Sequence, residues 1–317
     1  RAAMMTLDCH IDTPWQFTKQ GWKKPRGSTF TFDLRQRQAS AVDFPRMKEG
    51  GLDAAVFALY ISDTMQDDLG SYDAWEAILA QISWLHLQPG CSLVADRAAA
   101  EVAARNGDVP IFLGLEGGRL IGDTLSKLAV LALCGVRYLT VTHNRNTAWA
   151  DSATDAPHNG CITAFGKQVV TEAERLGIIM DVSHGSDETA LSIINMSTKP
   201  VIASHSGCRA LVDHPRNLSD VLIQAIAQTG GVIHIPFARR FIGPSALGVI
   251  DHIHYVAQLV GVEHVGIGSD LDGAAMADGL EDVSCWSRIR DGLSDAGYGE
   301  DSIDLITGGN TLRVLAK

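Results

Sequence analysis

Six short apolar runs in this 317-residue chain end in, or just before, a side chain able to bind a metal or move a proton. His10 and Asp12 close the first run, Glu116 the third, His143 the fourth, His184 the fifth, His205 the sixth and Asp270 the eighth. Any one of them alone is more often structural. Packing by itself does not keep placing imidazoles and carboxylates at strand ends, because a buried polar group without a partner is costly. A shared cation would offset that cost. The spacing His10-Ile-Asp12 puts both side chains on one face of a strand, with Cys9 and Ile11 turned towards surrounding helices. His184 and His205 end consecutive strands, so their rings can converge. Neutral imidazole mixed with carboxylate suits zinc, and a donor set with an open position marks a catalytic centre rather than a structural one.

The remaining residues are each open to two readings. Glu116 precedes Gly117-Gly118 and is either a surface-turn carboxylate or a bridge between two metals, the glycines allowing close backbone approach. Asp270 lies in His264-Val-Gly-Ile-Gly-Ser-Asp-Leu-Asp-Gly273, where Gly266 and Gly268 leave room for substrate or for another backbone. A phosphate-binding glycine turn is the rival reading there, and it leaves the histidines unexplained. Arg216, in His214-Pro-Arg-Asn217, is either a surface charge or a clamp for a carboxylate.

The elements that must position these residues recur as a strand followed by a longer helical stretch. Apolar runs fall at 4–9, 54–60, 110–115, 137–142, 178–183, 200–204, 231–236 and 264–269. Several are nearly continuous Val, Ile and Leu, as in parallel strands covered on both faces. Helical stretches are expected at 71–104, 124–134, 164–176, 186–195, 220–228 and 247–260, with Ser219 as an N-cap and Gly177 as a stop. Eight such units predict an α/β fold, a (β/α)8 TIM barrel, as a single domain over 1–317. An open doubly wound sheet is the alternative, but no Gly-x-Gly-x-x-Gly follows the first strand. Barrel enzymes build their sites at the C-terminal ends of the strands, where the capable side chains lie.

The totals narrow the function. A net charge of -11 argues against a nucleic-acid partner, since phosphate binding needs a basic surface. No run approaches the roughly 18 apolar residues of a membrane-spanning helix. The given chain shows no signal peptide before its first run, which leaves the compartment open; a soluble chain, cytoplasmic or periplasmic, is the expectation. The six cysteines are scattered without a Cys-x-x-Cys pair, which removes a zinc-ribbon reading and leaves isolated, mostly buried thiols. There is no internal repeat or low-complexity tract.

Taken together the motifs resemble the membrane (renal) dipeptidase family, a branch of the metal-dependent amidohydrolase-like barrels. The resemblance runs from Leu7 to about Leu315. It is carried by Asp8-Cys-His-Ile-Asp-Thr-Pro-Trp-Gln16, Gly114-Leu-Glu-Gly-Gly118, Arg137-Tyr-Leu-Thr-Val-Thr-His-Asn144 and Asn146-Thr-Ala-Trp-Ala-Asp151. It continues in Asp181-Val-Ser-His184, Ser204-His-Ser206, Arg216-Asn217, Gly266-Ile-Gly-Ser-Asp-Leu-Asp-Gly273 and Gly309-Asn310. The first motif departs from the family's usual Asp-Gly-His-Asn-Asp at Cys9 and Ile11, neither of which is a donor in that pattern. The resemblance implies two Zn2+ per chain, bridged by Glu116 and a water or hydroxide, with His10 and Asp12 completing one metal and His184 and His205 the other. It implies that His143 and Arg216 contact substrate and that Asp270 handles the proton. The implied activity is hydrolysis of dipeptides, including those with a C-terminal D-residue, by a homodimer. Another amide or ester hydrolase on the same barrel, such as an N-acyl amino acid or lactone hydrolase, and an inactive barrel used for binding are the alternatives.

Overall fold

The computed structural model describes residues 4–21 and 32–315, so the opening Arg1 and the closing Lys317 lie outside it. Among the described residues eight strands are formed, all in parallel pairs: β1 (Leu7–Ile11), β2 (Ala54–Leu59), β3 (Cys91–Leu93), β4 (Val109–Glu116), β5 (Val136–Thr140), β6 (Ile179–Asp181), β7 (Ile233–Ile235) and β8 (Val265–Ile267). The main sheet runs β1-β2-β4-β5-β6, with β3 added beside β4, and β7 pairs with β8. β2 is buried along its whole length, which is why it reads as an unbroken apolar run.

Segment 200–204, expected as a strand, makes no ladder of its own. It is stitched in by single bridges, Asp181 to Ile202 and Ala203 to Ile233. Backbone bonds run from Val182 N to Ile202 O at 2.9 Å and from His234 N to Ala203 O at 2.8 Å. On the far side Asp12 N donates to Leu271 O and Asp270 N to His10 O, each at 2.9 Å, which joins the last stave to the first. The sheet is therefore closed, and the architecture is a (β/α)8 TIM barrel. Gly268 belongs to this closure: a Cβ there would stand 1.8 Å from Ser204 O. Of the two uses open to that glycine, close approach of another backbone is the one the structure makes.

The helices Asp220–Gln228 and Leu247–Val260 have the expected bounds. Ser219 Oγ accepts from Leu222 N at 3.4 Å, and Gly177 sits at φ 76° just past a helix. The helical stretch expected over 71–104 is corrected: helix Asp63–His86 ends, β3 intervenes, and a second helix runs Arg97–Arg105. Pro89-Gly90, with Gly90 at φ 75°, turns the chain, and Asp96 then caps the new helix by accepting from Ala99 N at 2.8 Å. Cys9 is a second correction. An extra residue between Asp8 and Ile11 breaks the alternation of β1, and Cys9 belongs to a buried cluster with the strand residues Leu7, Val56, Phe112 and Tyr138, separate from the one that holds Ile11. All six thiols are free, but only Cys9 and Cys208 are buried and the other four are half-buried.

Candidate metal centre

His10 leaves β1 at its C-terminal end, and its ring is held from behind. Tyr138 OH donates to Cys9 O at 3.3 Å and so accepts from His10 Nδ1 at 2.7 Å. That leaves His10 Nε2 as a buried lone pair with no hydrogen-bond partner among the described residues. It faces Asp12 Oδ2 and Glu116 Oε1, each at 3.6 Å. Asp12 Oδ1 is likewise buried and unpartnered. Such spacing is too long for hydrogen bonds and suits donors converging on a cation.

His205 is held in the same way from another stave. Asp181 accepts from Thr140 Oγ1 and Ser204 Oγ, both at 2.6 Å, and from the backbone N of Ser183 and Ser204. With its proton committed to Asp181, Ser204 Oγ accepts from His205 Nδ1 at 2.9 Å, so His205 Nε2 presents a lone pair. His184 Nε2 lies 2.9 Å from His205 Nε2 and 3.1 Å from Glu116 Oε1, while His205 Nε2 is 3.4 Å from the same oxygen. The rings of His10 and His205 stack at 3.8 Å.

Ligand atoms therefore gather in three overlapping sets, each within 4.8 Å: His10, Asp12 and Glu116; Glu116, His184 and His205; and His10, His205 and Asp270. The first two share Glu116. All six expected rim residues that could hold metal meet at one mouth of the barrel, and the donors are of the type that binds zinc.

Electrostatics follow from burial. Burial opposes a proton on His10, yet the Glu116 and Asp12 carboxylates outweigh it and hold its imidazole well above the ordinary value. A cation at Nε2 would compete with that proton. Burial, with Arg216 and His143 nearby, keeps His184 well below its ordinary value. Burial, His10 and Arg216 do the same to His205. Burial and the neighbouring Asp12 charge push the Asp270 carboxyl well above the usual range. His184 and Asp270 both adopt left-handed backbone, at φ 68° and 65°, as does Asp272 at 69°. Gly273 fits beside them because a Cβ would meet Asp12 Oδ2 at 2.0 Å.

A cleft of about 590 Å³ opens over this cluster, lined among others by Trp15, Tyr60, Glu116, His143, Asp270 and Phe241. His143 stands in its wall with Nδ1 donating to Asp63 Oδ2 at 3.0 Å and 3.4 Å from Tyr60 OH. Arg216 is only 3% exposed and, among the described residues, does not form the cleft wall. Its guanidinium is fixed by bonds to Ser206 Oγ and His205 O, packs 5.2 Å from the Phe241 ring centroid, and carries a buried Nε–H without a partner. Of the two readings of Arg216, a surface charge is ruled out by that burial.

Sequence reasoning passed over Tyr60, Asp63, Tyr138 and the Asp181–Ser204 pair. Tyr60 did carry a signal, since it closes the second apolar run as the other rim residues close theirs. Tyr138 and Asp181 read as strand interior, and Asp63 fell between the second apolar run and the helical stretch expected from 71.

The chain is similar to proteins of one family. The family model described as membrane dipeptidase (peptidase family M19) matches residues 1–317. A dipeptidase of Aspergillus oryzae is 34% identical over 86% of this chain and 69% of its own length. A dipeptidase of Clonostachys rogersoniana is 32% identical over 98% of this chain and 83% of its own. A metallopeptidase of Rhodobacter sphaeroides, solved with a phosphinate mimic of the dipeptide L-Ala-D-Ala, superposes with a TM-score of 0.88 at 23% identity over 99% of each chain.

Proposed function

Because the chain belongs to the membrane dipeptidase family, peptidase family M19, we propose that it is a zinc-dependent dipeptidase, hydrolysing dipeptides at the C-terminal mouth of its barrel. The observation that carries this reading is the pair of donor sets sharing one carboxylate. In it His10 and Asp12 would hold one zinc ion and His184 and His205 the other, with Glu116 shared between them. When bound, zinc supplies a Lewis acid for the scissile carbonyl and acidifies a water molecule.

The chain's own residues do the rest. Asp270, whose surroundings raise its affinity for a proton, takes one from the attacking water and returns it to the leaving amine. The reading takes His143 as an imidazolium paired through Nδ1 with Asp63, so that its Nε2–H donates to the carbonyl oxygen as charge builds there, a contact whose loss typically costs about 3 kcal/mol. Arg216 stays cationic near neutrality although burial pushes it down to about 10. Its unpartnered Nε–H would pair with the substrate's terminal carboxylate, which favours dipeptides over longer chains. The ligand named for the Rhodobacter sphaeroides structure supports including a C-terminal D-residue among the substrates. The reading takes 1–317 as one barrel domain working as a homodimer.

The test is to strip the protein with a chelator, reload it with zinc, and assay Ala-Ala, Ala-D-Ala, N-acyl amino acids and lactones side by side. We expect about two zinc ions per chain and dipeptide hydrolysis only after reloading. His205→Ala should lose metal and activity together. Full activity in the stripped protein, or turnover of acyl amino acids or lactones in place of dipeptides, would overturn the proposal.

A further inference from the structure

Beyond β7 the chain turns at Ala238 into the short helix Arg239–Ile242. Arg239, Arg240 and Phe241 all face the cleft that also holds Asp12, Glu116 and Asp270. The two arginines are differently engaged. Arg239 donates to Asp278 Oδ1 at 2.5 Å and to Pro244 O at 3.5 Å, so its charge is met. Arg240 has no carboxylate or hydrogen-bond acceptor among the described residues. It rests against Phe241, with its guanidinium carbon 5.9 Å from the ring centroid.

The same aromatic ring packs against Arg216. One residue thus gathers two cations, a buried one and an exposed one. Arg240 thus presents to the cleft an exposed cation that no carboxylate of the described residues meets, and a ligand carboxylate would supply that counter-charge. The carboxylates already on the cleft leave Arg240 unpaired: Glu116 and Asp12 face His10, Asp270 lies within the donor sets, and none of them is at ion-pair distance from Arg240 among the described residues.

We propose that Arg240 sets the substrate class, selecting dipeptides whose C-terminal residue has an acidic side chain. The terminal carboxylate goes to Arg216 and the side-chain carboxylate to Arg240. This rests on the dipeptidase reading and narrows it.

The experiment measures kcat/KM of the zinc-loaded protein for Ala-Glu, Ala-Gln, Ala-Lys, Glu-Ala and Gln-Ala, with Arg240→Ala, Arg240→Lys and Arg240→Glu alongside. The native chain should favour Ala-Glu over Ala-Gln roughly fivefold, as expected for one charge pair about 4 Å apart in water. That ratio should fall towards one in Arg240→Ala, persist in Arg240→Lys, turn in favour of Ala-Lys in Arg240→Glu, and shrink with added salt. Equal turnover of Ala-Glu and Ala-Gln by the native chain overturns the proposal. So does a preference that survives Arg240→Ala, or one for Glu-Ala over Gln-Ala with none at the C-terminal residue. Failure to cleave any dipeptide would overturn the dipeptidase reading as well, and the uncharged substrates tell the two failures apart.

Discussion

Tyr138 reaches His10 only because residue 114 has no side chain: a Cβ there would stand 2.2 Å from Tyr138 Cζ. Two neighbouring staves thus combine to set one ring nitrogen. Outer contacts of this kind typically change metal affinity by about 10–100-fold. Tyr138→Phe should weaken zinc retention by roughly that factor, and Gly114→Ala by at least as much, because it displaces the whole ring. Competition with a chromogenic chelator measures both, and unchanged affinity in the pair would remove Tyr138 from the support of the site. For Arg216, a charge-assisted contact of about 1.5–3 kcal/mol predicts that Arg216→Ala raises KM for dipeptides roughly tenfold or more. A silent Arg216→Ala would leave that guanidinium a structural role only.

The Leu247–Val260 helix buries Val249, His252, Ile253 and Val256, and His252 does more than fill space. Its Nδ1 accepts from Cys208 N at 2.8 Å, pinning the loop that follows His205. Protonation would turn that acceptor into a donor, and burial pushes the imidazole down to about 4 from its ordinary 6.5. The unfolded chain takes up the proton first. Stability should therefore be full above pH 6.5 and drain away as the pH falls through about 4, by about 3 kcal/mol at most from this residue. Urea unfolding of native and His252→Gln protein at several pH values tests it: the variant should be weaker at pH 7 but show a shallower acid slope. Equal slopes would acquit His252. Elements with clear punctuation were legible in the sequence, as at Asp220–Gln228 behind Ser219. β3 was not, because three half-buried residues between two helices carry no periodicity. The rim donors were legible because strand ends are visible in one dimension. Tyr138 over Gly114 was not, since that pair is a meeting of β5 with β4. Arg240 was missed for a related reason: only the fold brings it beside Phe241 and the cleft.

The donors of the rim come from β1 and the residue just past it, from the end of β4, and from just beyond β6, segment 200–204 and β8, so they span most of the barrel's circumference. A bound ion would tie these staves together and favour the folded chain by mass action. Zinc at about 100 times its Kd is worth roughly 2.7 kcal/mol per site, which predicts a Tm lower by roughly 4 °C for each ion removed by chelation. Calorimetry with and without chelator checks this, and His205→Ala should show no such difference. A stripped protein that melts unchanged would mean that the rim and the barrel are energetically separate. In the opposite direction, His184, Asp270 and Asp272 hold left-handed backbone that disfavours any residue with a Cβ, at about 1 kcal/mol or more each. Laboratory evolution that rewards heat resistance and ignores turnover would drift to glycine at 184 and 270. The survivors would be sturdier proteins with an idle mouth.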